Sequence, residues 1–197
     1  MRELWNARYN SEEYVYGVNP NTFFESQILN LKPGKILLPA EGEGRNAVYA
    51  ASLSWKVYAF DFSIEARKKA LKLADRNKVM INYMLGSFDE IEYEPDYFDC
   101  IAIIYAHQPS IQRRVYHRKL LSYLKPGGTI ILEAFSKNQI NYDTGGPRNV
   151  DMLYSKCELE DDFIGLSSYD ILEENIFLEE GLLHSGMASI IRMVGTK

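Results

Sequence analysis

The feature that most constrains this chain is a series of short, continuously apolar segments parted by helix-length amphipathic stretches. Strand-like segments at 35–39, 56–60, 79–84 and 98–104 alternate with helical patterns at 45–53 and 63–76. This is the rhythm of βαβ units on a parallel sheet. Cys100-Ile-Ala-Ile-Ile104 is apolar at every position, as a strand buried on both faces must be, whereas a one-sided sheet would alternate. Pro109 opens a further helix to about Leu124, Lys125-Pro-Gly-Gly128 turns the chain, and 129–135 reads as a fifth strand. Ser155-Lys-Cys-Glu158 has the form of a capping box and predicts another helix. The ending breaks the rhythm: 169–178 and 185–194 are both strand-like, and the segment between them is too short for a helical crossover. They are predicted to form an antiparallel hairpin.

The expected fold is therefore α/β: a Rossmann-like, seven-stranded, mostly parallel sheet with an antiparallel C-terminal hairpin and helices on both faces. Residues 1–34 precede the first strand and carry Trp5, Tyr9, Tyr14, Tyr16, Phe23 and Phe24, which read as an aromatic cover. Asn19 and Pro20 are the expected N-cap and first residue of a helix whose apolar stripe is Phe23, Phe24, Ile28 and Leu31. With no internal repeat, the 197 residues read as one domain, 1–34 the cover and 35–197 the core.

A net charge of -5 without a long basic block gives no reason to expect nucleic acid or an anionic membrane as partner, and a small molecule fits better. Arg113, Arg114, His117, Arg118 and Lys119 sit at helical spacing and are expected on a solvated face. Cys100 and Cys157 form no Cys-x-x-Cys pair, and no metal site is expected. No apolar h-region opens the chain and no eighteen consecutive apolar residues occur, so the expected location is cytoplasmic.

The chemistry concentrates where the first strand ends. Ala40, Gly42 and Gly44 leave the backbone without bulk before a helix, so a ligand can lie against main-chain N–H groups. Asp61 closes the second strand nineteen positions after Gly42, where an acid grips ribose hydroxyls. Gly42-x-Gly44-x-x-Ala47 also satisfies the dinucleotide fingerprint, so NAD is a competitor. The pattern small-x-Gly-x-Gly from Ala40, the lack of a second mononucleotide-binding half and the terminal hairpin favour S-adenosylmethionine.

Trp5-x-x-x-Tyr9, Tyr14-x-Tyr16-Gly17, Gly42-Glu-Gly-Arg-Asn46, Asp61-Phe-Ser63, Phe98-Asp99, Ala106-His107, Leu124-Lys-Pro-Gly-Gly128 and Asp151-Met-Leu-Tyr154 together resemble the class I S-adenosylmethionine-dependent methyltransferases over nearly the whole chain. The resemblance is nearest to a small bacterial branch similar to tellurite-resistance and thiopurine methyltransferases. It implies that the backbone of Ala40, Glu41, Gly42 and Gly44 holds the methionine part. Asp61 would take the ribose hydroxyls, Phe62 would flank the adenine, and Ser87 and Phe88 would read its edge, with Ser63 and Tyr105 also among the cofactor-binding residues. It implies S-adenosylhomocysteine as product and a small-molecule methyl acceptor. The family usually carries an acid at the position of Leu38, a glycine at Ala40 and an acid at Ser87. Glu41 is a candidate for the missing charge, with a solvent-facing side chain as the alternative.

Trp5 and Tyr16 either lie over the cofactor or only pack, while Tyr9, Phe23 and Phe24 are expected to pack. Arg45 and Asn46 either reach a ligand or start the helix. Tyr105 and His107 follow the fourth strand, at the carboxyl end of the sheet, and are the catalytic or acceptor-pocket candidates. For His107 the alternative is a residue satisfied by hydrogen bonds at the start of the next helix. His117 is expected to be exposed, His184 to sit in a solvated turn, and Glu90, Glu92, Glu94 and Asp96 in a solvated loop. Methyl transfer is an in-line displacement in which positioning contributes roughly 7–11 kcal/mol, and it needs a general base only for a protonated acceptor. The competing functions are a non-catalytic S-adenosylmethionine-binding regulatory protein, suggested by Leu38, Ala40 and Ser87, and an NAD-dependent oxidoreductase.

Overall fold

In the computed structural model, which describes residues 2–181 and 183–197, the apolar runs become seven strands of one mixed sheet. They are β1 (Lys35–Pro39), β2 (Lys56–Asp61), β3 (Asn82–Leu85), β4 (Phe98–Ile104), β5 (Leu124–Phe135), β6 (Ser168–Glu179) and β7 (Ser185–Thr196), in the order β3-β2-β1-β4-β5-β7-β6. The pairs β1 with β2, β2 with β3 and β4 with β5 are parallel, and β7 runs antiparallel to both β5 and β6. Ile36, Leu37, Leu38, Cys100, Ile101, Ile130, Ile131 and Leu132 are wholly buried, as continuous apolar strands require.

The chain divides into two compact units, residues 1–92 with 180–183, and residues 93–179 with 184–197. The first holds β1 to β3 and four helices: α1 (Arg2–Tyr9), α2 (Thr22–Ile28), α3 (Arg45–Ser52) and α4 (Ile64–Arg76). The second holds β4 to β7 with α5 (Ser110–Tyr123) and α6 (Lys156–Asp162).

Local chemistry moves several expected boundaries. The cap of α2 is Asn21, not Asn19: its Oδ1 accepts from the Phe24 amide at 2.9 Å, so the helix starts two residues beyond Pro20. Strand β3 begins at Asn82 because Lys78 is left-handed (φ 55°) and the Val79 amide turns back to the Ala74 carbonyl at 3.0 Å, closing α4. At α6 only part of the capping box forms, since the Ser155 hydroxyl bonds the Glu158 carboxylate at 2.6 Å and caps no amide.

The basic cluster on α5 is not a uniformly solvated face. Arg113 and His117 are 1% and 3% exposed and converge on Asp162 of α6, with Nε at 2.6 Å and Nδ1 at 3.0 Å from its Oδ2. His117, expected outside, is thus an interior residue, and burial lowers its pKa despite the neighbouring carboxylate. Arg114 remains exposed and reaches the same carboxylate from the rim at 3.6 Å. The two ends of the sheet also differ: β3 has four residues, whereas β6 has twelve and carries Asp170, Glu173, Glu174 and Glu179.

Candidate functional site

Beyond β1 the backbone adopts left-handed geometry at alternate residues, with φ of 51° at Ala40, 63° at Gly42 and 89° at Gly44. Glycine takes these values freely, while the alanine stores roughly 1–2 kcal/mol of strain. The two glycines serve different needs. A Cβ at Gly42 would come within 2.9 Å of the Tyr9 hydroxyl, whereas one at Gly44 would meet the Ala70 Cβ at 2.6 Å. Gly42 therefore lies bare beneath the N-terminal segment, and Gly44 lets α3 approach α4.

Asp61 stands at the end of β2 with its carboxylate buried. It accepts from the Gly42 amide at 3.2 Å and the Ser63 amide at 2.8 Å. Tyr83 completes the clamp by donating to the Gly42 carbonyl at 2.6 Å. Burial pushes the Asp61 pKa up to about 6 against the pull of those backbone bonds. Glu41 does not point into solvent. Its Oε1 accepts from the amides of Asn46 at 2.9 Å and Ala47 at 2.8 Å, and so caps α3, whose own cap residue Gly44 has no side chain to do so. Burial outweighs these bonds and the attraction of Arg45, lifting the Glu41 pKa to about 7.

The other polar residues of the loop are engaged by the chain itself. Glu43 pairs with Lys69 at 2.5 Å and accepts from the Tyr16 amide at 3.3 Å. Arg45 pairs with Glu180 at 2.7 Å and donates to the Tyr16 carbonyl at 3.2 Å. Asn46 Oδ1 accepts from the Asn21 amide at 2.8 Å, and Asn21 Nδ2 donates to Glu180 Oε1 at 2.8 Å. Glu180 had no signal in the sequence, because a partner 135 positions from Arg45 follows no local spacing.

Helix α1 lies over this loop. Ser63 Oγ, which also caps α4 through the Ala66 amide at 3.2 Å, donates to Asn6 Oδ1 at 2.6 Å. Trp5 stacks on Tyr9 with ring centres 5.4 Å apart, Tyr16 meets Tyr9 edge-on at 6.4 Å, and Arg8 joins Trp5 and Tyr16. Of the expected adenine-side residues, Phe62 is half-buried and Phe88 is buried edge-on against Phe60 at 5.2 Å. Ser87 is tied to Glu90, its amide at 2.8 Å and its hydroxyl at 3.0 Å from Oε2. Glu90 is exposed as expected, and those bonds lower its pKa.

In the second unit, Tyr105 follows β4 with φ 52°, its amide bonded to the Glu133 carbonyl at 2.8 Å. A left-handed tyrosine is strained, and such strain gathers at functional sites. Its ring lies 4.7 Å from Phe135 and 4.6 Å from His184. His184, expected in a solvated turn, is 6% exposed because these two rings enclose it. His107 is pinned by backbone at both ring nitrogens: Nε2 accepts from the Phe135 amide at 3.2 Å, and Nδ1 lies 2.7 Å from the Met152 carbonyl. The first bond requires an unprotonated Nε2 and the second a protonated Nδ1, which fixes one neutral tautomer. Burial pushes its pKa down to about 4.

Among the described residues no group of three or more His, Cys, Asp or Glu side chains is placed to hold a metal, and no helix is long and apolar enough to cross a membrane. Residues 36–128 match a family model described as a methyltransferase domain. No curated protein matches the sequence. Solved structures share the fold at low identity. One, concerned with conversion of a disulfide bond into a thioacetal group during echinomycin biosynthesis, is 17% identical with a TM-score of 0.76, covering 99% of this chain and 90% of its own. YcgJ from Bacillus subtilis is 18% identical with a TM-score of 0.69, over 88% of this chain and 97% of its own. A SAM-dependent methyltransferase from Thermotoga maritima is 16% identical with a TM-score of 0.65, over 100% of both chains.

Proposed function

We propose that the chain is an S-adenosylmethionine-dependent methyltransferase of a small-molecule acceptor, with the donor held by the Ala40–Gly44 loop and Asp61; the match of residues 36–128 to a methyltransferase-domain model supports this reading. The observation that carries this reading is the cap on α3. A dinucleotide lays its pyrophosphate on the first amides of the helix after the glycine loop. Here Glu41 already accepts from two of them, so an anionic ligand would meet a carboxylate. A cationic one meets two carboxyls at the loop, half-buried Glu41 and buried Asp61.

S-adenosylmethionine supplies an electrophilic methyl group on a sulfonium. The residues of this chain bind and orient. Asp61 offers its carboxylate to the ribose hydroxyls, Phe62 flanks the adenine, and Trp5, Tyr9 and Tyr16 shield the loop from water. In the second unit, Tyr105 packs against Phe135 and His184. His107 has no nitrogen left to accept a proton from an acceptor, and its role is to hold the segment after β4 in place. Catalysis by positioning therefore suits an acceptor that is nucleophilic without a base, such as a thiolate or a soft oxyanion.

Thermal unfolding with and without ligand tests the donor. S-adenosylhomocysteine at ~100 times its dissociation constant stabilises by about 2.7 kcal/mol, which for a chain of this size raises the midpoint by roughly 5–10 °C. NAD should leave it unchanged. The opposite pattern would overturn the assignment.

A further inference from the structure

We propose that the amino ends of β2 and β3 carry a second ligand site, a groove that takes a small apolar amine bearing a hydrogen-bond acceptor. It stands apart from the donor loop. On β2 the groove is lined by Lys56 and Val57, whereas the loop side of the same strand ends at Asp61, about 16 Å from Lys56 at the rise of a β-strand.

The groove holds about 700 Å³, within the range of small-molecule sites. Leu71 of α4 and the segment from Val79 to Ile81 give it an apolar wall, and Leu71 and Met80 leave 37% and 91% of their surface to water. Exposed apolar surface gathered at a concavity marks a binding site. Two polar features select the occupant. Trp55 is 5% exposed, yet its indole N–H has no hydrogen-bond partner among the described residues. That group can only donate, so a ligand oxygen that accepts from it supplies what the fold does not. Asp75 is exposed and likewise has no side-chain hydrogen bond or ion pair among the described residues. Helices α3 and α4 end beside it, at Ser52 and Arg76, and each is followed by a left-handed residue, Ser54 (φ 68°) and Lys78 (φ 55°). Their carboxyl ends add partial negative charge to that of Asp75. Lys56 is the one cation among the lining residues, and its ammonium stands over the Tyr58 ring, 5.7 Å from the centre. Lys72, Arg76 and Lys78 stand outside the lining. At the Asp75 end an ammonium is therefore favoured over a carboxylate.

The test is nuclear magnetic resonance of the full chain, whose two tryptophans give two indole N–H signals, with Trp5→Phe assigning that of Trp55. Two probes differ only in the charged end. Tyramine supplies an ammonium, an apolar ring and a hydroxyl, and 4-hydroxyphenylacetate replaces the ammonium by a carboxylate. Tyramine should move the Trp55 signal downfield and saturably. It should bind about fivefold or more tightly than 4-hydroxyphenylacetate, the size expected when attraction between exposed charges becomes repulsion. Asp75→Asn, a change at an exposed position, should reduce that preference to about twofold or less. Saturating S-adenosylhomocysteine should leave the tyramine response in place. The proposal is overturned by the absence of a saturable Trp55 shift, by equal affinity for the two probes, by a preference that survives Asp75→Asn, or by displacement of tyramine by S-adenosylhomocysteine. Because Trp55 reports this groove alone, the outcome stands whether or not the donor reading holds.

Discussion

Glu41 shows how one side chain couples stability to pH. A carboxyl raised from near 4.5 to about 7 on folding holds its proton longer in the native state, so stability present below pH 4.5 is lost as the pH rises through 7. Glu41→Gln removes the charge and keeps the cap. At pH 4 the variant should match the unmodified protein, and at pH 8 it should be more stable by about 3 kcal/mol at most, as measured by urea unfolding at both values. At this scale the sequence was only partly legible. Asp61 could be placed at the end of β2 because the apolar run before it marks a strand. The fate of Glu41 was hidden, because whether a loop carboxylate faces a ligand, solvent or a helix end depends on three left-handed residues in a row of five. His107 and His184 were obscured in the same way, since their partners Met152, Phe135 and Tyr105 arrive from other elements.

Between elements, the buried Arg45–Glu180 pair joins α3 to the turn that follows β6, while Asn21 ties the start of α2 to the same carboxylate. Removing one partner of a buried pair leaves the other charge without compensation, at a cost of about 3–5 kcal/mol. Arg45→Ala should therefore lower stability by that order in chemical unfolding. Arg45→Met combined with Glu180→Leu should recover most of the loss, and equal loss in the double variant would show that the pair is not the cause. The elements themselves were legible wherever apolar periodicity was strong: β1, β2, β4 and the β6–β7 hairpin lie where the sequence places them. Boundaries set by a single cap or turn, at Asn21 and Lys78, were not, because one hydrogen bond or one left-handed residue decides each and no periodic pattern records it.

For the whole molecule, two opposed sets of buried groups shape the acid response. Glu41 and Asp61 gain protons on folding, and their contribution falls as the pH rises between about 4 and 7. His107, pushed down to about 4, and His117, lowered by burial, take up a proton less readily in the native state than unfolded, so their contribution is lost as the pH falls below 6.5. The two slopes oppose each other, and stability should change little between pH 5 and 6. His107→Gln removes one slope, so its stability should rise towards acid over that interval, and an unchanged slope in denaturant titrations at several pH values would refute the balance. The acidic row on β6 bears on life at high concentration. The rim of a sheet is a template on which another chain can crystallise itself strand by strand. Two copies laid rim to rim would set Asp170, Glu173, Glu174 and Glu179 of one against the same row of the other, and like charges opposed across a ladder repel. At high concentration that repulsion opposes rim-to-rim pairing along the twelve-residue strand.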